Sequence, residues 1–475
     1  MLTQLYKGSD AIGLSDRIRK KDVTALELVE HAIQEIERLN PTVNAVTAKL
    51  YDQARKTAAQ PLPDGALSGV PFLLKDLSVE WKGFPVTNGC RYFKDYVATT
   101  DWHIARRVRD AGLIPLGKTN VPENGWCVAT EPKLFGPTIN PWNASVSAGG
   151  SSGGSAVAVA CGMVPLAEAS DGGGSIRVPA SNNGLVGLKP SRGRLTFGPD
   201  VVDYWYGAVV FLCVSRTVRD TAAYLDAVAG AHPGDPYALP LPAMPYLSTI
   251  SEATRRLRIG LTTRLPDGSP IHPEVSNAIE RAARICADLG HDVAEHHLTY
   301  DLDKFKQIFI RITGVQSAAF FRSCAERFGR AVTPQDVEPA TWGIVELGKA
   351  VSGIQHSDDI EAMRKMSRKI IEELTPFDVY LAPVLPVPPR PAGWYDMSEP
   401  DVRVYNEKLL SDIVFTAPFN CTGQPAITVP VYYSADNVPI GVQFIGRIGD
   451  EATLLRLAAQ IETAYPWKER HPSVF

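Results

Sequence analysis

The sequence has no paired cysteines, no surplus of one charge and no long apolar run, and each absence removes a class of function. Its seven cysteines, Cys90, Cys127, Cys161, Cys213, Cys286, Cys324 and Cys421, are odd in number, widely spaced and never set as CxxC. That usage fits reduced thiols and argues against a disulfide framework or a zinc site. The nine histidines are as dispersed: His296 and His297 alone are adjacent, and neighbours on a strand face opposite sides, which makes a poor chelate. HExxH does not occur, and the single GxxxxGK[ST] match, Gly112–Thr119, falls inside the strand-like run "LIPLGKTN" rather than in a loop between a strand and a helix, so metal-dependent hydrolysis lacks its signature and P-loop chemistry its structural context. Lys and Arg number 48 against 52 Asp and Glu, a formal net charge of −4 with a pI near 6.2, and no basic run marks a nucleic-acid surface. The longest apolar stretch, residues 156–169, is broken by Gly162 and Pro165 and is too short to span a bilayer, and the opening "MLTQLYKGSD" has no apolar signal core. The expectation is a cytoplasmic protein with neither nucleic acid nor membrane as partner.

What is present is an alternation of helices and strands. A chain of 475 residues holds two or three ordinary domains or one large one with lobes. Thr24 and Glu27 have capping-box spacing ahead of an apolar stripe, Leu28, Val29, Ala32, Ile33, Ile36 and Leu39, which Asn40 and Pro41 are expected to stop. "GVPFLLKDL" and "LIPLGKTN" read as strands, with a helical pattern through Ile104, Val108 and Ala111 between them. Beyond the Pro-rich "PYALPLPAMP", helical patterns run over 274–289, 302–330 and 357–374. The chain then returns to short apolar runs, "FDVYLAPVLPVPP", "PAITVPVYY" and "IGVQFIGRI", and closes on a helix over 451–464. These patterns predict one α/β domain over 1–475: an N-terminal helical part (about 1–65), a core (about 66–235 and 375–475) whose sheet is built from both ends of the chain, and a helical insertion (about 236–374).

Three reactive side chains stand where small residues let backbone come close: Lys75 after "PFLL", Ser151 in "AGGSSGGS" and Ser175 in "ASDGGGSIRVP". Glycines permit backbone angles closed to other residues and leave N–H groups uncovered. The amides of Gly172, Gly173, Gly174 and Ser175 are therefore candidates for an oxyanion hole beside the Ser175 hydroxyl. A serine needs a base, and no histidine is an obvious partner. Lys75 serves if burial disfavours its ammonium, with Ser151 relaying the proton between Lys75 and Ser175. Taken alone, a GGSSGG run is a linker; here an apolar helical segment begins at once and a second glycine-rich loop follows, which a linker does not predict.

The segment "AGGSSGGSAVAVACGMVPLAEASDGGGSIRVPASNNGLVGLKPSRGRL" resembles the signature of the amidase signature family. "GVPFLLKDL", "GLIPLGKTNVPE", "NPWN", "FTAPFNCTGQPAITVP" and "VPIGVQFIGRIGDEATLLRLAAQIE" look like further family blocks, spread over nearly the whole chain. The resemblance implies an amidase signature fold: α/β, a large mixed central sheet covered by helices on both faces, with a helical insertion. It also implies Lys75 as base, Ser151 as bridging serine after a cis peptide bond, and Ser175 as the acyl-accepting nucleophile. The oxyanion hole maps to Gly172, Gly173, Gly174 and Ser175, with Asp171 and Arg177 in support and no cofactor or metal. The chain departs from the commoner family pattern at Ser170, Asp171 and Gly172, where an extra glycine is expected to loosen the oxyanion loop. It departs again at Asn182, Asn183 and Gly184, where pocket contacts are in doubt.

The branch that hydrolyses glutamine for tRNA amidation carries a tyrosine-rich stretch in its central helices. This chain has "RITGVQSAAFFRSCAERFG" instead, which favours a stand-alone hydrolase. "TEPKLFGPTINPWN" and "GLTTRLPDGSPIHPE" look most like the 6-aminohexanoate-cyclic-dimer hydrolase branch. Asn124, Trp126, Cys127, Phe320 and Phe321 are the expected substrate-binding residues, and the large apolar Trp126 with Phe320 or Phe321 suits a small-molecule hydrophobic, aryl or oligo-amide substrate. Whether the chain forms a homodimer is left open by the sequence.

Overall fold

The computed structural model describes residues 2–252 and 254–475. Eleven strands form one mixed sheet: β1 (Val46–Lys49), β2 (Pro71–Lys75), β3 (Ile114–Thr119), β4 (Leu166–Asp171), β5 (Val186–Lys189), β6 (Val210–Ser215), β7 (Arg258–Leu261), β8 (Asp292–Glu295), β9 (Val379–Pro383), β10 (Ala426–Val429) and β11 (Val442–Ile445). Their spatial order is β1-β3-β2-β4-β6-β5-β10-β11-β9-β7-β8, so strands from both ends of the chain meet where β5 pairs with β10. Every residue of β4, β5, β6, β9, β10 and β11 is buried, which requires cover on both faces and explains the mostly apolar sequences of all but β4.

The first long helix, Ala25–Val43, starts as its sequence demands. The Glu27 N–H donates to Thr24 Oγ1 (3.2 Å) and the Thr24 N–H to Glu27 Oε2 (2.8 Å). It runs three residues past the expected stop, with Pro41 inside its last turn, and ends on the left-handed Asn44 (φ 50°). The middle segment also departs from expectation, because it is not helical throughout. "RIGL" (β7) and "DVAE" (β8) extend the sheet beyond β9, all three strands parallel, and the helical lobe proper is Leu302–Phe328, Pro339–Ala350 and Gly353–Leu374.

Two parallel pairings position the site. β2 pairs with β3 (Lys75 opposite Thr119) and with β4 (Leu73 opposite Ala167), so the carboxyl ends of β2 and β4, at Lys75 and Asp171, open on the same edge. The crevice beyond such strand ends is where open α/β sheets bind ligands. The wholly buried helix Gly153–Ala160 packs against both strands and brings the segment just before it, with Ser151, to that edge.

Candidate active site

Lys75 ends a strand whose five residues are all buried, and its side chain is 1 % exposed. Its Nζ donates to Ser151 Oγ at 2.7 Å and to Ser170 Oγ at 2.9 Å. Burial pushes the Lys75 ammonium down to about 7, against the opposing pull of Glu168 and Asp171. Glu168 lies two residues before Ser170 on β4 and accepts the Lys75 backbone N–H (3.2 Å); burial pushes its carboxyl up to about 7, with Lys118 the main opposing charge. Each of the two groups favours the charged form of the other. Lys118, fully buried on β3, has no hydrogen-bond partner for its Nζ among the described residues.

The glycines around Ser151 are fixed by close approach. A Cβ on Gly150 would lie 2.5 Å from the Ala129 carbonyl oxygen, and one on Gly154 2.4 Å from the Asn120 nitrogen. Thr130 Oγ1 donates to the Gly149 carbonyl (2.9 Å) and accepts the Gly153 N–H (3.1 Å). The peptide bond before Ser151 is cis. "AGGSSGGS" is thus a buried turn clamped from outside, with no character of a spacer.

The loop bearing Ser175 is organised around Asp171. Arg177 Nε and Nη2 donate to the two Asp171 oxygens at 2.9 Å each, a fork with neither side chain exposed. Burial alone would raise the Asp171 pKa, but the Arg177 charge and hydrogen bonds, joined by Asn420, hold it well below the carboxylate range. Gly174 corrects the sequence expectation: at φ 137° its N–H turns inward to Asp171 Oδ1 (2.7 Å), so it is taken from the oxyanion set. The amides of Gly172, Gly173 and Ser175 have no acceptor among the described residues. Thr416 Oγ1 donates to the Gly173 carbonyl (2.6 Å) and Asn420 Nδ2 to that of Asp171 (3.0 Å), anchoring the loop from the C-terminal half. The extra glycine does not loosen this loop. A Cβ at Gly172 would fall 2.8 Å from the Trp205 ring, so the position is small because an indole fills its space.

Ser151, Ser170, Gly172, Gly173 and Ser175 open onto one cavity of about 310 Å³, within the range of small-molecule sites. All five expected substrate residues, Asn124, Trp126, Cys127, Phe320 and Phe321, line it. Trp126 packs against Trp205 (ring centroids 5.0 Å), and Trp205 meets Phe309 edge-on at 6.1 Å. Asn124, in a left-handed conformation (φ 51°), keeps both side-chain amide atoms buried and without hydrogen-bond partners among the described residues. Asn182 and Asn183 do not line the cavity: they brace the Ser147–Ala148 backbone, Asn183 Nδ2 donating to the Ala148 carbonyl at 2.7 Å and Asn182 Nδ2 to that of Ser147 at 3.3 Å.

Sequence reasoning missed Ser170 and Glu168 as partners of Lys75, Thr416 and Asn420 as anchors, and Trp205 as a wall. Glu168 and Ser170 carried a weak signal as alternate polar residues in an otherwise apolar strand. The other three arrive from distant segments and carried none. Among the described residues no cluster of His, Cys, Asp and Glu has the arrangement of a metal site, and no helix is long and apolar enough to cross a membrane.

A family model described as Amidase matches residues 27–455. The 6-aminohexanoate-cyclic-dimer hydrolase of Pseudomonas sp. (strain NK87) is 38% identical over 98% of this chain and 96% of its own length. The solved structure of 6-aminohexanoate cyclic dimer hydrolase complexed with substrate superposes with a TM-score of 0.92 at 37% identity, covering 99% of both chains. That of a bacterial aryl acylamidase of the amidase signature family gives 0.87 at 28% identity, covering 97% of both. A family match over most of the length, relatives alike from end to end and a shared architecture lead to one conclusion: the chain belongs to the amidase signature family and is a hydrolase of carbon–nitrogen bonds.

Proposed function

We propose that the protein hydrolyses small hydrophobic, aryl or oligo-amide substrates through an acyl-enzyme on Ser175. The observation that carries this reading is the 2.7 Å contact between Lys75 Nζ and Ser151 Oγ at the wall of the cavity that Ser175 also lines. Near neutral pH a large share of Lys75 is neutral amine. The Ser151 hydroxyl donates to that amine and takes the Ser175 proton as Ser175 Oγ attacks the amide carbonyl. Negative charge then develops on the carbonyl oxygen, where the free amides of Gly172, Gly173 and Ser175 are suited to receive it. As the carbon–nitrogen bond breaks, Ser151 gives a proton to the leaving nitrogen and is resupplied by the Lys75 ammonium. Water, deprotonated through the same relay, attacks the ester, and Ser175 regains its proton as the acid leaves.

The lining supports the substrate class. Trp126, Trp205, Phe309 and Phe320 offer apolar and aromatic surface, and the unpartnered Asn124 amide offers one donor and one acceptor to a substrate's polar atoms. The names of the relatives, a cyclic amide dimer hydrolase and an aryl acylamidase, point the same way. A hydrolysis panel tests it. Anilides, medium-chain aliphatic amides and cyclic oligo-amides are expected to turn over, with free glutamine poor; a protein that cleaved glutamine or asparagine alone would contradict the reading.

A further inference from the structure

The charge of the cavity is as informative as its shape. Of the residues that line it, Asp203 alone has an acidic or basic side chain, with no Lys, Arg, His or Glu beside it in the lining. Asp203 is partly buried and makes no hydrogen bond or ion pair among the described residues. Burial raises the Asp203 pKa against the opposing charge of Arg192, which is itself committed to backbone: Nε donates to the Gly207 carbonyl (2.9 Å) and Nη2 to those of Asn420 (3.2 Å) and Cys421 (2.6 Å).

The turn that follows Asp203 is itself fixed. Trp205 and Tyr206 are both left-handed (φ 52° and 55°), a conformation disfavoured for aromatic residues and found where the surroundings enforce it. Here the surroundings are explicit. The Tyr206 hydroxyl lies 2.8 Å from His356 Nε2 and accepts from Gln316 Nε2 (3.3 Å), both on the helical lobe, while Trp205 fills the space over Gly172.

Resting on the amide-hydrolase reading above, we propose that Asp203 is the counter-ion for a cationic group of the substrate, so that the enzyme prefers amides bearing a protonated amine and disfavours those bearing a carboxylate. Among the side chains that line the cavity an ammonium finds one carboxylate and no competing cation, whereas a carboxylate finds repulsion; the Lys75 amine stands behind Ser151 and Ser170, occupied with their hydroxyls.

Three anilides of matched length test this: 6-aminohexanoyl anilide, its neutral alkanoyl counterpart and the mono-anilide of a dicarboxylic acid. In the wild type, kcat/KM is expected to fall from cationic to neutral to anionic. In Asp203→Asn the cationic-to-neutral ratio, taken within one variant so that general losses cancel, falls about tenfold, the scale of a charge-assisted hydrogen bond. The same comparison as binding to Ser175→Ala by calorimetry reads Asp203 without turnover. If no anilide is cleaved while the binding ratio follows Asp203, the hydrolase reading fails and the charge preference stands. A ratio that Asp203→Asn leaves unchanged, in turnover and in binding, overturns the proposal.

Discussion

Lys75, the proposed base, is kept from water. Its amine is fully buried, with two serine hydroxyls as hydrogen-bond partners and no direct ion pair, and burial brings its titration to about 7 from an ordinary value of 10.5. Below that point the ammonium has no lone pair to accept a proton, so kcat/KM is expected to rise with pH through a midpoint near 7. Glu168 favours the ammonium, and Glu168→Gln therefore moves the midpoint to lower pH by about one unit; a pH profile with an unmoved midpoint would show that Glu168 does not act on Lys75. The Asp171–Arg177 fork is a structural counterpart: Arg177→Met leaves a buried carboxylate unpaired and costs about 3 to 5 kcal/mol of stability, measurable by denaturant unfolding. The serines and Lys75 were legible because a reactive side chain among glycines or at the end of an apolar strand breaks its local pattern. Asp203 and Trp205 break none, and become functional only when the turn carrying them folds over the cavity.

At the scale of elements, the glycine-rich turn before the helix Gly153–Ala160 shows what local sequence can and cannot tell. Its composition is that of a spacer, and its rigidity comes from the backbone of Ala129 and Asn120 on either side. Gly154→Ala has no flexible neighbour to displace and is expected to cost about 1 to 3 kcal/mol, with loss of activity following the disturbed Ser151, checked by thermal unfolding and rate together. The helix Ala25–Val43 was legible from its capping box, and Thr24→Ala should lower stability by about 1 kcal/mol without touching the rate. β7 and β8 were not legible, since each is four residues long and β8 has one half-buried side chain among exposed ones. β7 owes its strand character to pairing with β9, distant in the chain (Ile259 opposite Val379), and β8 to pairing with β7 (Ile259 opposite Val293).

The whole molecule explains why the site needs both halves of the chain. Lys75, Ser151 and Ser175 come from the first half, while Thr416 and Asn420 fasten the nucleophile loop from the second and the helical lobe supplies Phe309 and Phe320 to the cavity. That the sheet draws on both ends was readable from two sets of short apolar runs separated by helical patterns. The order of its strands was not, because it is set by pairings that no local pattern encodes. The central claim is that this assembly makes Ser175 the nucleophile, with Lys75 and Ser151 acting through it. Intact-mass and peptide mass spectrometry after treatment with a fluorophosphonate tests it most directly. The wild type is expected to gain one adduct on Ser175, Ser151→Ala and Lys75→Ala to label more slowly by about 10² to 10⁴-fold, and Ser175→Ala to gain none. An adduct that persists in Ser175→Ala would contradict the account.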